Sequence, residues 1–564
     1  MKKNSLRNFF YFLISGAIVL SAISCQQKHP IGIEHVIVIG LDGLSVQGML
    51  EAHTPCMDSL MQNGAYSFKV RSVIPTVSLP NWAAMVNGAG PEITGVTTND
   101  WERDFDNCPP VSMSQNHVFP NIFSVIREQM PDAETGAIYE WGGFKRMLET
   151  EVINKFESYS NQRETAEKSA EYILEKRPNL LFIQLDKIDG FGHSKGHMSP
   201  EYIEFISETD KDVQLIVDAV KQAGINDKTM IMVVSDHGGI FYAHGGYSYE
   251  EFTTPIIYSG KGIKKNYHIQ QQIYRYDVAA DVIFALGLKI PQVWVGRPVK
   301  AAFEGFNEPE NLYRGTEVLP PPVFVNDEMS TRYGYLTIDK GAEVIIKKPL
   351  GVNGEIHYTT DGAIPTRNST VYTAPFTLDH SALVKAKIYG EEGESPTITA
   401  QYRVVYSNKG NGLNYSFYHL PGEKSLPLLQ SRTAIAKGVC YEVSFKQNAF
   451  PDLNTLREKY NTDYGIRFDG WIEIDEEAKY TFRIWGRGGY RLFVNSQKII
   501  EHTTLNEGMN MSGSIDLKKG IYPFQIDYFS SDDRGYLDLY YEVNGESRGF
   551  IPGNMLYRQK VPVN

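Results

Sequence analysis

Two patterns of apolar residues alternate along the first half of the chain. Short runs rich in Val and Ile end directly in Asp, as in HVIVIGLD, LLFIQLD and MIMVVSD. The stretches between them repeat apolar residues every three or four positions, as in residues 199–223, where Ser199 can cap a helix and Gly224 can end it. Buried strands separated by amphipathic helices are typical of a mostly parallel sheet covered by helices on both faces. The pattern predicts one α/β domain over residues 30–305.

A different pattern follows residue 305. Residues 306–319 have the composition of a linker, and the run of prolines directly after them would act as a stiff spacer. Residues 320–405 contain short alternating runs separated by Gly, Asp, Asn and Pro, which predict a small β-sandwich. Aromatic and polar residues alternate over residues 411–560 and predict a second all-β domain. A chain of 564 residues is long enough for about three domains.

The N-terminal segment has the pattern of an export signal. A basic start, MKKNSLR, precedes the apolar stretch FFYFLISGAIVLSAIS, which stops at Cys25. The letters AISC resemble the cleavage site of bacterial lipoprotein signals, and this resemblance implies that residues 1–24 are removed and that Cys25 is lipidated. It also implies an exported lipoprotein of the bacterial cell envelope, held at a membrane by its lipid anchor. Plain secretion with cleavage near Ser24 is the alternative.

The overall charge narrows the choice of partners. The chain has 55 basic and 67 acidic residues, a formal net charge of −12, and no long basic run. This balance argues against nucleic acid as the main partner. A small anionic substrate is compatible with it if metal ions supply positive charge locally. After Cys25 the sequence contains only Cys56, Cys108 and Cys440, so we predict neither a disulfide framework nor a cysteine-based metal site.

Six Asp and His residues follow the predicted strands, at the end of a parallel sheet where functional sites are usually placed. Any one of them could simply cap a turn or a helix. Together they offer carboxylate oxygens and imidazole nitrogens, a donor set that suits Zn²⁺ and also Mn²⁺ or iron. We therefore predict a metal centre formed by Asp42, Asp189, His193, Asp236, His237 and His244.

The order of these groups resembles the alkaline phosphatase superfamily, in particular its type I phosphodiesterase/nucleotide pyrophosphatase branch. The shared order is Asp, a hydroxyl residue followed by x-Pro-Asn, Asp-x-x-x-His, Asp-His-Gly and His-Gly, and it spans residues 33–300. The resemblance implies an alkaline phosphatase-like fold that hydrolyses phosphate esters at two Zn²⁺ ions. It assigns one ion to Asp189, His193 and His244. It assigns the other ion to Asp42, Asp236 and His237.

The same resemblance implies a hydroxyl nucleophile within PTVSLPNW, which faces the second ion. Ser78 directly precedes the x-Pro-Asn motif, where this branch usually has Thr, whereas Thr76 lies two positions early. Ser78 would lie at a helix N-terminus, whose free amides and dipole favour an alkoxide and a bound phosphoryl group. Its attack on phosphorus would form a phospho-enzyme that water then hydrolyses. Asn99, in PEITGVTTNDW, would donate a hydrogen bond to a phosphoryl oxygen.

The sequence gives less information about which type of ester is hydrolysed. Phosphomonoesterases of the superfamily add a Lys or Arg beside the phosphate, and Lys145, Arg146 and Lys187 are the candidates here. Trp141 could instead hold the organic group of a diester by stacking, which favours a phosphodiesterase or pyrophosphatase. A phosphomonoesterase, a sulfatase and an inactive carbohydrate-binding surface protein are the alternatives. The sulfatase is disfavoured because SLPNW lacks the Arg that ends the sulfatase motif C/S-x-P-x-R.

Both C-terminal domains resemble modules of exported carbohydrate-active proteins. IHYTTDGAIPTRNSTVYTAPFTL resembles the immunoglobulin-like domain at the C-terminus of chitobiases. Residues 411–560 resemble a PA14 β-barrel, which implies contact with a glycan, a structural or docking role being the alternative. Some PA14 lectins bind Ca²⁺ through an Asp-Asp pair in the turn that here contains Arg487 and Gly488. The resemblance therefore does not extend to calcium-dependent sugar binding.

Overall fold

The chain divides into two compact units, residues 1–315 and 316–564, in the computed structural model. The residues that the structure describes are 29–30, 32–103, 108–114, 117–310, 312, 317–326, 329–330, 335–391, 393–445, 451–505 and 508–560. The predicted signal peptide, residues 1–24, and Cys25 lie outside these residues. Within the described part of the chain, no helix combines the length and the apolar character needed to cross a bilayer.

The first unit is built on one nine-stranded sheet in which parallel strands occupy one half. The strands are β1 (His35–Leu41), β2 (Gly64–Arg71), β3 (Thr135–Tyr139), β4 (Lys155–Ser158), β5 (Leu180–Leu185), β6 (Thr229–Val234), β7 (Thr253–Gly260), β8 (Tyr267–His268) and β9 (Ile273–Tyr274). Their order is β4-β3-β5-β1-β6-β7-β2-β8, and β9 also pairs with β2. Strands β4, β3, β5, β1 and β6 are mutually parallel, and β7 runs antiparallel to β6 and β2.

The helices of the first unit are α1 (Val46–Glu51), α2 (Pro55–Gln62), α3 (Ser78–Asn87), α4 (Pro91–Thr94), α5 (Ile122–Gln129), α6 (Gln162–Lys176), α7 (Lys187–Lys195), α8 (Pro200–Gln222), α9 (Tyr249–Phe252) and α10 (Asp277–Ala285). Helix α8 matches the helix predicted over residues 199–223, and the side chain of Ser199 accepts a hydrogen bond from the amide of Tyr202 as its N-cap.

Alternation along the strands divides the interior of this unit into two cores. In β1, Val36 and Val38 belong to one core, which includes residues of α3, α5 and α10. Ile37 and Ile39 point to the opposite side and belong to a second core with residues of α2, α6 and α8. Because both sides of the strands are covered, the strands read as continuous apolar runs. The predicted α/β architecture, a mostly parallel sheet with helices on both faces, is confirmed.

The second unit begins with a small pair of sheets. Its strands are β10 (Glu317–Val318), β11 (Val323–Asn326), β12 (Met329–Ser330), β13 (Leu336–Ile338), β14 (Ala342–Lys347), β15 (Glu355–Thr359), β16 (Thr370–Val371), β17 (Phe376–Leu378), β18 (Ala382–Tyr389), β19 (Gly393–Glu394) and β20 (Ile398–Val405). One sheet contains β10, β19, β18, β15, β16, β20 and β13, and the other contains β12, β11, β14 and β17. Strand β10 falls within residues 306–319, which the sequence predicted as a linker. Its backbone pairs with β19, so the end of that segment belongs to the sheet.

The rest of the unit forms two further antiparallel sheets around one core rich in Tyr and Phe. The strands are β21 (Leu413–His419), β22 (Ala436–Cys440), β23 (Tyr464–Ile474), β24 (Ala478–Arg487), β25 (Gly489–Val494), β26 (Gln497–His502), β27 (Gly508–Leu517), β28 (Gly520–Ser530), β29 (Tyr536–Val543), β30 (Glu546–Phe550) and β31 (Leu556–Tyr557). The helix α11 (Pro451–Lys459) precedes β23. The prediction that all-β domains follow the α/β domain is confirmed.

Candidate metal centre

Three adjacent parallel strands bring the predicted ligands together. Strand β1 lies between β5 and β6, and Asp42 follows β1 directly. Asp189 lies in α7, which starts just after β5, and Asp236 with His237 follows β6. Because the strands are parallel and in register, their carboxyl ends meet at one edge of the sheet. The fold thus explains how residues almost two hundred positions apart reach the same site.

The first group of side chains consists of Asp189, His193 and His244. Asp189 and His193 are four residues apart on α7 and share one face of the helix. Asp189 Oδ2 lies 3.1 Å from Nε2 of His193 and 3.6 Å from Nε2 of His244. The two Nε2 atoms are 3.2 Å apart. One ligand atom from each residue falls within a volume that could hold a single metal ion.

The second group surrounds His237, which is fully buried. Its Nε2 lies 3.2 Å from Asp236 Oδ2 and 3.6 Å from Asp42 Oδ1. Asp42, Asp189 and His237 also bring ligand atoms close enough to share an ion, so Asp189 takes part in both groups. The ring of His237 stacks on that of His244 with centroids 3.7 Å apart. The structure therefore brings together all six residues predicted as ligands.

The three imidazoles are held by their second nitrogen. Nδ1 lies 2.9 Å from a backbone carbonyl oxygen in each case: Tyr242 for His193, Gly238 for His237 and Thr76 for His244. Carbonyl oxygens only accept, so Nδ1 carries a hydrogen, and Nε2 is the nitrogen whose lone pair a metal can use when it is deprotonated. Fixing the tautomer in this way is typical of histidines that bind metals. All three Nε2 atoms face the Asp side chains.

Three carboxylate oxygens of the cluster are buried without a hydrogen-bond partner among the described residues. They are Asp42 Oδ1, Asp189 Oδ1 and Asp236 Oδ2. The opposite oxygen of Asp42 accepts hydrogen bonds from Trp82 Nε1 and Gln184 Nε2, each 3.0 Å long. Buried carboxylate oxygens are normally paired, so unpaired atoms that converge on imidazole lone pairs fit a cation. The donor set of Asp oxygens and His nitrogens fits zinc.

The pKa values also reflect this crowding. Burial and the neighbouring carboxylates hold the pKa of Asp42 well above its usual range, and burial is the main reason that the pKa of Asp236 is raised to about 7. Burial holds the pKa of His237 well below its usual range. The hydrogen bond to Asp189 raises the pKa of His193 to about 9. Burial opposes ionisation of Asp189, but His193 and His244 outweigh it and hold its pKa well below the usual value.

Ser78 and Thr76 have different surroundings, although both are buried. Ser78 is the first residue of α3, and its Oγ lies 3.2 Å from Nε2 of His237. The Thr76 hydroxyl donates to the carbonyl of Gly246 and accepts from the amide of Gly245, at 2.8 and 3.1 Å. Thr76 thereby fastens the loop that carries His244, whereas Ser78 faces the Asp and His cluster.

Asn99 lies against the start of α3. Its Oδ1 accepts a hydrogen bond from the amide of Leu79 at 2.8 Å, and its backbone carbonyl accepts from Arg146. Since Oδ1 is fixed by the Leu79 amide, the Nδ2 group is the donor left for a substrate. The structure also modifies the expectation of free amides at this helix start. The Leu79 amide is already bonded, and Pro80 has no amide hydrogen.

The other predicted substrate residues lie on the β3 and β5 side of the site. Trp141 follows β3, packs partly against the core, and donates its backbone amide to Gln184 Oε1 at 2.8 Å. Lys187 forms an ion pair with the buried Glu140, with Nζ and Oε1 3.1 Å apart. Arg146 pairs with Glu102 at 3.0 Å. These two cations therefore already have acidic partners.

His197 is a neighbour of the site that sequence reasoning missed. It is fully buried between Gly192 and Gly239, where an added Cβ would lie 2.3 and 2.2 Å from its ring. Its Nε2 lies 3.8 Å from Asp189 Oδ1, and burial lowers its pKa to about 4. Its position four residues after His193, in HSKGH, was the available signal. Gln184 gave no such signal, because it lies inside an apolar strand.

Family comparisons agree with the order of the domains. Residues 36–242 match the type I phosphodiesterase / nucleotide pyrophosphatase family. Residues 350–402 match the Fn3 associated family, and residues 442–548 match the PA14 domain. The resemblance to the phosphodiesterase branch, followed by a small β module and a PA14-like domain, is thus confirmed. The matched catalytic family is a hydrolase family of the predicted type.

Individual relatives share the first unit at low identity. GPI ethanolamine phosphate transferase 1 of Saccharomyces cerevisiae is 22% identical over 289 residues, 46% of this chain and 31% of that protein. Ectonucleotide pyrophosphatase/phosphodiesterase family member 5 of Homo sapiens is 26% identical over 242 residues, 40% of this chain and 48% of that protein. The structure of murine ectonucleotide pyrophosphatase/phosphodiesterase 5 shows 17% identity and a TM-score of 0.39, covering 46% of this chain and 96% of that chain. The chain covers less than half the length of both curated relatives.

Proposed function

We propose that the first unit hydrolyses phosphodiester or pyrophosphate bonds through a phospho-enzyme on Ser78, at a centre for two zinc ions. The observation that carries the proposal is the position of the Ser78 hydroxyl, 3.2 Å from His237 Nε2 and facing the cluster of buried Asp and His side chains. Asp189, His193 and His244 would hold one ion, and Asp42, Asp236 and His237 the other, with Asp189 near both. Other divalent transition metals fit the same donors.

The chain supplies the nucleophile and its orientation. When bound, the ions would supply Lewis acidity that favours loss of the serine proton and offsets phosphoryl charge. Ser78 releases its hydroxyl proton to solvent, and Oγ forms a bond to phosphorus while the bond from phosphorus to the leaving oxygen breaks; the leaving oxygen takes a proton from solvent. A water molecule then attacks phosphorus and loses one proton, while the bond to Oγ breaks and Oγ takes a proton back. Asn99 Nδ2 would donate a hydrogen bond to a non-bridging oxygen of the phosphate. The Leu79 amide, which donates to Asn99 Oδ1, holds the Asn99 side chain in place.

A diester fits the charges around the site better than a monoester. A monoester carries nearly two negative charges, so its enzymes need a cation beyond the metals. Of the three candidate cations, Lys187 is paired with Glu140, and Arg146 is paired with Glu102 and bonded to the Asn99 carbonyl. Lys145 is exposed in the 3-10 turn Gly142–Met147. The names of both curated relatives, a phosphodiesterase and an ethanolamine phosphate transferase, also involve phosphate diesters or phosphate transfer. For the diester, Trp141 is proposed to contact the organic group of the substrate. A phosphomonoesterase is the second candidate function.

The remaining assignments concern the location and the second unit. We propose that residues 1–24 are an export signal and that lipidation of Cys25 anchors the protein at the cell envelope. The PA14 match supports contact of residues 411–560 with a glycan. Residues 30–305, 320–405 and 411–560 are the proposed domains, joined between the first two by the linker 306–319, whose end contains β10.

The test is metal analysis combined with hydrolysis of bis-p-nitrophenyl phosphate by the purified full-length protein. We expect bound zinc, turnover of the diester, loss of turnover on chelation, and recovery when zinc is returned. Comparison with p-nitrophenyl phosphate and p-nitrophenyl sulfate ranks the ester classes. A metal-free protein that hydrolyses none of them would leave the carbohydrate-binding surface protein as the better assignment.

A further inference from the structure

Four large apolar side chains are exposed on segments that flank the metal centre. Ile74 is 63% exposed, Phe241 42%, Tyr242 41% and Tyr247 73%. Single exposed apolar side chains are common on protein surfaces, but several of them on two segments that border the same site indicate a binding surface. We refer to these four residues as the apolar collar.

The backbone of two collar residues is bonded to histidines of the site, the predicted ligand His193 and its neighbour His197. His193, whose side chain is 48% exposed, has its Nδ1 against the carbonyl of Tyr242. The carbonyl of Phe241 accepts from the amide of His197 at 2.6 Å. The rings of Phe241 and Tyr242 pack edge to face with centroids 4.5 Å apart. The collar residues Phe241 and Tyr242 therefore lie beside the exposed side of the His193 ligand.

The other two collar residues are joined to the same place through Thr76. Ile74 lies two residues before Thr76, whose carbonyl contacts His244 Nδ1. The Thr76 hydroxyl bonds Gly245 and Gly246, directly before Tyr247. The segment that leads into Ser78 and the loop that carries His244 are thus tied together, which brings the backbone next to Ile74 and Tyr247 close to His244.

The collar side of the site and the β3 and β5 side differ in the number of charged residues. Residues 72–82 and 237–249 contain no Asp, Glu, Lys or Arg. On the β3 and β5 side, by contrast, Lys187 pairs with Glu140, and Asp186 donates its amide to the same carboxylate. The carboxylate bonded to this loop, that of Glu251, is buried and accepts from the amides of Gly246 and Ser248. The exposed collar side chains are aromatic and aliphatic, and such a surface beside a phosphate site suits an apolar substituent.

We propose that the apolar collar binds an uncharged, apolar organic group attached to the scissile phosphodiester, such as an alkyl chain or an aryl ring. This inference rests on the proposed function, since it concerns the substrate of the same site. Removing apolar surface from water is favourable in proportion to the area covered, so each methylene group that reaches the collar should improve binding. The substrate would therefore be a phosphodiester with at least one apolar alcohol.

The test compares esters that share one leaving group and differ only in the second substituent. Methyl p-nitrophenyl phosphate, hexyl p-nitrophenyl phosphate and the p-nitrophenyl ester of thymidine 5′-phosphate all release p-nitrophenolate, so differences in kcat/KM report how the other group is bound. Below the micelle concentration of the hexyl ester, we expect its kcat/KM to exceed that of the methyl ester by about tenfold. The thymidine ester should fall below the hexyl ester.

Variants of the collar residues then test whether the collar causes the preference for the hexyl ester over the methyl ester. The double variant Phe241→Ser, Tyr242→Ser keeps the backbone contacts to His193 and His197, and we expect it to bring the ratio of hexyl to methyl kcat/KM close to one. Tyr247→Ser alone, at a more exposed position, should lower the ratio part of the way. Val295→Ala removes a side chain that is 43% exposed elsewhere in the unit and should leave the ratio unchanged. Zinc content and circular dichroism check that each variant is folded.

The outcomes separate this inference from the proposed function. Failure to hydrolyse any of the three esters would count against the phosphodiesterase itself. Hydrolysis with equal rates on the methyl and hexyl esters would overturn the collar alone. So would a hexyl preference that survives in the double variant and in Tyr247→Ser, or a thymidine preference that the collar variants do not change.

Discussion

Buried acidic side chains have different kinds of partner in the two units of the molecule. In the second unit, Glu442 is buried beside the equally buried Arg403, and Asp538 accepts a hydrogen bond from Ser444 at 2.7 Å. In the first unit, by contrast, Asp42, Asp189 and Asp236 converge on one another and on the imidazoles of His193, His237 and His244. A cationic ligand would supply the charge that Arg403 supplies internally in the other unit. The contrast separates carboxylates that maintain a fold from carboxylates arranged for a ligand.

The largest expected effect comes from removing the Ser78 hydroxyl. Ser78→Ala should lower kcat on a diester by at least about 10³-fold, because the proposed nucleophile is lost, while bound zinc stays close to the level of the unsubstituted protein. Thr76→Val is the matched control: it loses a hydroxyl that bonds the loop around Gly245, and it should cost only about tenfold. Rates and metal content of both variants are measured side by side. The reverse order would assign the nucleophile to Thr76.

Breaking the internal pair of the second unit should affect stability and not catalysis. Arg403→Met leaves Glu442 as an unpaired buried charge, which should lower the free energy of unfolding of this unit by about 3–5 kcal/mol. The double variant Arg403→Met, Glu442→Leu should recover most of that loss. Denaturant titration measures both, and diester hydrolysis under native conditions serves as the control. A change in kcat as large as that in Ser78→Ala would contradict the contrast between the units.

Zinc should stabilise only the first unit, which contains the converging Asp and His side chains. At a free zinc concentration 100-fold above the dissociation constant, the gain is about 2.7 kcal/mol. Hydrogen exchange with mass spectrometry can locate it: peptides from residues 229–244 should gain protection on adding zinc, and peptides from β23 should not. Equal gains in both would indicate metal bound outside the proposed centre.

The smallest effect concerns protons. In the metal-free protein the pKa of His193 is raised to about 9 by its hydrogen bond to Asp189, and burial raises that of Asp236 to about 7. Ligation needs both groups deprotonated, so zinc should displace protons, and its apparent affinity should rise by about tenfold from pH 7 to pH 8, mostly through His193. Calorimetry in buffers with different ionisation enthalpies counts the protons. An affinity that falls as pH rises would contradict the ligand assignment.

Much of the site could be read from the sequence because its residues follow strands of a recognisable type. Asp42, Asp189 and Asp236 each come directly or shortly after an apolar run, and parallel strands bring such positions to one edge. Gln184 and His197 could not be found in this way. Gln184 lies within a strand of apolar residues, and its contact with Asp42 depends on the pairing of β5 with β1. The partner of Lys187 could not be identified from the sequence either, because Glu140 follows β3 whereas Lys187 follows β5.

The sequence by itself determined the class of the first unit, the type of strands and helices, and the set of side chains that could hold metal. These depend on local periodicity and on residue chemistry, which are independent of distant contacts. The tertiary structure decided which hydroxyl faces the cluster, which nitrogen of each imidazole carries the hydrogen, and which cations are already paired. Those properties arise only when segments such as residues 72–78 and 237–247 are folded against each other. Ser78 and Thr76 differ by two positions in sequence, but only the fold gives their hydroxyl groups different partners.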